Sequence, residues 1–247
     1  MEFQTGVINP IQCFQEGWEL IKAKYWLFFG ISIVGMLVAG FVPFGIVLGA
    51  MFCGIYFALA KQADGENVEF TDLFKGFNYF LPGLVVSLLV IIPSFVFGVG
   101  LQIASFSMQF AIQGKTTSPE QAQAYLWTFL GIFGIVMLAW FLILGCLQAA
   151  LIFAYPLVVD RKMSGWEAVK LSSRAVMANL GGVIGLITVE FLLSVVGLFL
   201  CYVGMFFILP VCFAGVFVAY RKVFPSINQP SNYPPMPPKF VNSDQWQ

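Results

Sequence analysis

Chemistry in this chain has few residue types to draw on. There is no histidine among the 247 residues. That removes the commonest general base, the Ser-His and Cys-His nucleophile pairs, and every His-ligated zinc site. An enzyme built on this sequence would have to work with carboxylates, lysines or tyrosines. The sharpest candidate is Glu190, a lone acid inside an apolar stretch. A carboxylate there handles a proton or a cation, or contacts a lipid headgroup drawn among helices. The alternative is a neutral acid hydrogen-bonded to a neighbouring helix, with Gln148 or Ser194 as partner. No second charge lies in an apolar stretch to complete a relay. Asp160 is the next candidate, between Pro156-Leu157-Val158-Val159 and Arg161-Lys162. It either pairs with a headgroup or a basic residue of another unit, or is an ordinary boundary charge. Asp64, Glu66, Glu69 and Asp72 crowd one polar segment, where solvation is the default. The five cysteines lie far apart and read as small apolar side chains. No phosphate-cradling glycine loop, metal-binding helix motif or Gly-x-Ser-x-Gly elbow occurs, so no metal or cofactor is expected.

The elements that must position these residues are apolar. The chain is 60% hydrophobic and 10% charged, with a mean hydropathy of +0.88. Soluble domains carry about 25% charge, so lipid must be the main solvent. A formal net charge of zero gives no basic surface for nucleic acid. The first 24 residues carry Glu2, Glu16 and Glu19 and have no apolar core, unlike a cleavable signal. Between Lys24 and Lys61 there is no charge. As one helix that run would reach ~54 Å, against ~30 Å of hydrocarbon. Gly40, Pro43 and Gly45 divide it into a hairpin, 25–41 and 44–60. Further helices are predicted over 80–106, 122–154, 180–203 and 205–222. Ser118, Pro119 and Gln121 mark the start of the fourth. Of the 12 Lys and Arg, only Lys115 falls on the far side of these six spans. The positive-inside rule then places both termini in the cytoplasm.

A repeat runs through the spans. Amphipathic segments precede each hairpin: Ile11, Phe14, Trp18 and Ile21; then Phe70, Leu73, Phe74 and Phe77; then Trp166, Val169, Val176 and Leu180. Gly17-Trp18-Glu19-Leu20-Ile21-Lys22 is echoed by Gly165-Trp166-Glu167-Ala168-Val169-Lys170. The fold class expected is therefore all-α, an integral membrane bundle of six transmembrane helices with cytoplasmic-side amphipathic helices. Residues 1–224 form it as three hairpin units of about 9–60, 69–154 and 162–222. Trp18, Trp26 and Trp166 are interfacial anchors, and basic residues beside them suit anionic lipid headgroups. Gly45-x-x-x-Gly49 and Gly181-x-x-x-Gly185 suit close helix packing or a homo-oligomer. Residues 225–247 are proline-rich, a solvated tail or a docking peptide for a cytoplasmic protein.

Phe70-x-x-Leu73-Phe74-Lys75-Gly76-Phe77, Pro156-Leu157-Val158-Val159-Asp160, Gly165-Trp166-Glu167-Ala168 and Asn179 together resemble a group of uncharacterised bacterial polytopic membrane proteins. That group is similar to the membrane domain of some glycerophosphoryl diester phosphodiesterases. The resemblance covers about residues 10–224. It implies a bacterial plasma (inner) membrane and a six-helix bundle, and it transfers no catalytic residues. The leading expectation is a non-enzymatic membrane protein, an accessory or scaffold for lipid handling or partner assembly. A small transporter or channel using Glu190 is the alternative, and a membrane-embedded lipid enzyme the third.

Overall fold

The computed structural model describes residues 3–113, 118–199 and 203–225. Lys115 and the proline-rich segment 226–247 lie outside the described residues. Helices follow one another as α1 (Pro10–Ile21), α2 (Tyr25–Phe41), α3 (Leu48–Ala63), a 3-10 segment (Phe70–Tyr79), α4 (Phe80–Gln113), α5 (Pro119–Leu151), α6 (Ala154–Arg161), α7 (Gly165–Ala178), α8 (Leu180–Phe199) and α9 (Val203–Val223). No strand occurs among the described residues. Five runs are long and apolar enough to cross a membrane: Pro10–Phe41, Phe70–Phe110, Gln123–Arg161, Leu180–Phe199 and Val203–Val223. Leu48–Ala63 is apolar but shorter. Large apolar side chains point outward along α4, α5 and α8, among them Ile92, Trp127, Ile135 and Phe191. Water would not tolerate so continuous an apolar surface, and lipid does. The protein is a membrane helical bundle.

Helix starts follow the sequence signals. Asn9 Oδ1 accepts the Gln12 N–H at 3.3 Å, with Pro10 at the first helical position of α1. Ser164 Oγ accepts the Glu167 N–H at 3.4 Å at the head of α7 and donates to the Glu167 carboxylate at 2.9 Å. Ser118 Oγ accepts the Gln121 N–H at 3.4 Å at the head of α5. Each side chain satisfies a donor that the first helical turn leaves orphaned. Between α2 and α3 the chain turns through Gly45 at φ +62°, a left-handed conformation that glycine adopts without steric cost.

Two stretches differ from what the sequence predicts. The helix predicted over 122–154 stops at Leu151. There the buried Ser172 of α7 donates to the Ala150 carbonyl at 2.7 Å and accepts the Phe153 N–H at 3.2 Å. A side chain from another helix thus takes the groups freed by the break, and α6 begins with Pro156 in its first turn, where a missing N–H is harmless. The second difference is the segment Phe70–Tyr79, which is 3-10 rather than α-helical. At three residues per turn Leu73 and Gly76 share the buried face, with Phe70 at its half-exposed start against Gly30, while Phe74 and Phe77 stand outward. The predicted single stripe is split between two faces. Backbone approach explains the tighter winding: Gly76 meets the backbone of Ala50 and Gly54, and Gly54 meets Leu73. No Cβ fits at either glycine. The same kind of approach seats α1 on α9, with Gly17 against Ala214 and Gly215.

Core positions gather around α3, whose Ala50, Met51, Cys53, Ile55, Ala58 and Leu59 are buried. It packs on α2, the 3-10 segment, α4, α6 and α9.

Candidate functional site

Charged and polar side chains converge where α3, α6 and α9 end. Asp160, near the last turn of α6, accepts the Tyr220 hydroxyl at 2.7 Å. Its other oxygen lies 3.2 Å from the Arg221 guanidinium, which also reaches Asp64 beyond α3 at 3.2 Å. Arg161 approaches Asp160 at 3.6 Å and donates to the Pro225 carbonyl at 2.6 Å. Asp160 thus pairs with a basic residue of another hairpin, one of the two readings open from the sequence. The same plate continues through Lys222 and Glu16, 3.0 Å apart, which tie α9 to α1. Lys61 of α3 and Lys75 meet Asp72 at 3.0 and 2.7 Å. Asp72 is only 1% exposed, so its two cations are what make its burial tolerable. Its other role is local, because its carboxylate accepts the Glu69 N–H at 2.9 Å and closes a capping box.

Glu190 occupies the middle of α8. It lines a small cavity of about 260 Å³ with Ser194 of α8 and Met205, Phe206, Ile208, Leu209 and Cys212 of α9. The partners predicted for its carboxyl are not assembled. Ser194 Oγ donates to the Glu190 backbone carbonyl at 2.8 Å, not to the side chain. Gln148 is exposed on α5, which packs on α4 and α7, and makes no hydrogen bond with Glu190. No described residue donates to the Glu190 carboxyl. The apolar walls and a single acid make a place for an ionisable or hydrogen-bonding group, without a second charge to complete an ion site.

Trp18, Trp26 and Trp166 are exposed by 44%, 71% and 53%. Trp26 stands edge-on to Phe29 and Phe207, and Tyr25 bridges the ring of Trp18 to that of Trp26. Lys170 Nζ lies 5.4 Å from the centre of the Trp166 ring. Beside Trp166 a cleft of about 460 Å³ is lined by Arg161, Lys162, Met163, Glu167, Lys170, Leu171 and Arg174. Among the described residues no three His, Cys, Asp or Glu side chains gather to hold a metal ion. Cys13, Cys53 and Cys212 are buried thiols, and Cys146 is an exposed one.

No protein family, curated protein or solved structure matches the chain.

Several residues of this site carry no mark in the sequence that singles them out. Tyr220 and Arg221 close a helix like any aromatic-basic pair, and Asp72 reads as one of four solvated acids. The spacing Glu69-x-x-Asp72, with Lys75 three residues on, is the signal that could have found it. Asn179, noted only within a motif, is buried at the α7–α8 junction. Its Oδ1 accepts the Gly6 N–H at 2.7 Å, and its Nδ2 donates to the Gln4 carbonyl at 3.1 Å. It thereby holds the segment before α1 against α7 and α8.

Proposed function

We propose that the protein is a non-enzymatic membrane scaffold that serves lipid handling or partner assembly. The observation that carries this reading is the use made of its charges. Asp160, Arg221, Asp64, Lys222, Glu16, Asp72 and Lys61 join one part of the bundle to another. Six spans belong to the reading, with α3 as the sixth, and both termini lie in the cytoplasm. So do three short-long-long units. Their arrangement is supported by a cyclic pattern of contacts: the 3-10 segment packs on α3, α7 on α4 and α5, and α1 back on α9. Each interfacial segment thus sits on the hairpin of another unit. The resemblance to bacterial polytopic membrane proteins supports a bacterial inner-membrane location. The proline-rich segment 225–247 offers a docking peptide for a cytoplasmic partner, and the exposed faces leave room for a second copy.

A transporter or channel is the second reading, favoured by Glu190 and its cavity. Proteoliposomes decide between the two. With an imposed pH or cation gradient the scaffold reading expects no more flux than empty liposomes. A flux carried by the wild type and abolished in Glu190→Gln would overturn it. Cysteine labelling in intact cells tests the topology: Thr116→Cys should react from outside and Ser231→Cys should not. The reverse pattern would sink the orientation.

A further inference from the structure

We propose that the cleft between the end of α6 and α7 binds the phosphate-bearing headgroup of an anionic glycerophospholipid of the cytoplasmic leaflet. The inference rests on the orientation proposed above and names the lipid contact that the scaffold reading leaves open.

It starts from an inventory of partners. Lys22 pairs with Glu19, Lys61 and Lys75 with Asp72, Arg221 with Asp64 and Asp160, and Lys222 with Glu16. Lys24 donates to Asn67 at 2.9 Å. Arg161 has Asp160 and the Pro225 carbonyl. Among the described residues, the cations left without a carboxylate, amide or carbonyl acceptor are Lys162, Lys170 and Arg174. All three line the same cleft, and Arg161 borders it. Like charges gathered in one concavity raise its positive potential, and an anion seated there relieves their repulsion. Glu167 is the one acid in the lining, and its carboxylate is already engaged by the Ser164 hydroxyl at 2.9 Å.

The rest of the lining selects a lipid over a free anion. Met163 and Leu171 contribute apolar surface beside the cations. Trp166 stands exposed next to them, with Lys170 over its ring. A tryptophan of this kind sits at headgroup level, where an indole meets both hydrocarbon and water. A ligand with a phosphate at one end and a glycerol ester at the other matches the cations and the apolar Met163 and Leu171 of the lining. Basic pockets between helices on the cytoplasmic side are a recurrent way of holding such headgroups.

Lipid retention by the full-length protein, purified in a mild non-ionic detergent, tests the site by native mass spectrometry. Dioleoylphosphatidylglycerol is compared with dioleoylphosphatidylcholine on the wild type, on Lys170→Gln/Arg174→Gln, and on Lys22→Gln/Lys24→Gln. The last removes the same charge elsewhere. The wild type should retain the anionic lipid preferentially. That preference should fall about tenfold or more in the cleft variant, whose cations have no acceptor of their own, and less than about twofold in the control, whose cations are already engaged by Glu19 and Asn67. Equal falls in both variants, or no preference in the wild type, would overturn the proposal. Displacement of the lipid by soluble glycerol 3-phosphate at equal concentration would assign the cleft to a free phosphate and overturn the lipid. All four altered side chains leave the core untouched, so unchanged thermal stability checks the fold. Flux in proteoliposomes reads the scaffold proposal separately, so each can fail without the other.

Discussion

The α3 helix and the α4–α5 hairpin are both apolar, yet they are held in opposite ways. Nearly every residue of α3 from Gly49 to Ala60 is buried against protein. Among the described residues of α4 only Gly83, Val86 and Ser87 are buried, and of α5 only Leu151. Farther along, the two helices touch each other where Phe97 stacks on Trp140 with ring centres 4.1 Å apart. A Cβ added at Gly98, Gly100, Gly131, Gly134 or Gly145 would touch nothing. One region is therefore specified by shape and the other by solvent. Hydrophobicity alone does not separate them. What separates them is small residues: Gly49, Gly54 and Gly76 sit where backbones touch, and Gly83 meets Gly49 at the start of α4, whereas the hairpin glycines from Gly98 to Gly145 face open space.

Substitutions at glycine should break the contrast or sharpen it, and the largest effect is expected at α3. Gly54→Leu forces a side chain into the Leu73 backbone and should cost on the order of 3 kcal/mol or more. Folded yield by size-exclusion chromatography is the measure. An unchanged monodisperse peak would mean the α3 contact is not as drawn. A smaller loss is expected where charge, not shape, does the joining. Asp160→Ala leaves the Tyr220 hydroxyl without its acceptor and Arg221 with Asp64 alone, and should cost about 2 kcal/mol, because the site is partly open to water. Thermal unfolding in detergent reads it, and Asp160→Asn should recover part of the loss through the Tyr220 hydrogen bond. Glu190→Leu removes a side chain that accepts no hydrogen bond, so stability should change by less than about 1 kcal/mol. A large drop would reveal a buried partner. At the small end is Gly134→Ala on the open face of α5. It should be neutral or stabilise by about 0.5 kcal/mol through backbone entropy. A marked destabilisation there would show that α5 is packed in the membrane by something other than lipid.

The comparison also explains which features were legible in the sequence. Asn9, Ser118 and Ser164 mark helix starts because an N-cap acts on donors two or three residues away, within reach of local reading. Gly45 was legible for the same reason. The break at Leu151 was not, since Ser172 supplies its hydrogen bonds from another helix. Asp160 could be singled out as a charge at a boundary, but its bond to Tyr220 spans 60 residues of sequence. Glu190 stands out as a lone acid, but neither partner open from the sequence is beside its carboxyl: Gln148 shares the apolar context and belongs to a helix that packs on α4 and α7, and Ser194 donates to the Glu190 backbone. The 3-10 winding of Phe70–Tyr79 was hidden because its cause, the approach of Gly76 to α3, lies in another element.

The hairpin's one-ended attachment has a mechanical consequence. The α4 helix has 34 residues, so it is ~51 Å long. Its tilt is not fixed by protein neighbours beyond the first turns, and the bilayer sets it instead. Accommodating thickness by tilting costs only fractions of a kcal/mol per Å. Thin bilayers should lay the hairpin over and thick ones should raise it, while the α3 core keeps its orientation. The protein then carries a lever whose angle reports membrane thickness. Hydrogen exchange near Gln109, compared between short- and long-chain nanodiscs, would show that movement, and equal exchange in both would rule it out.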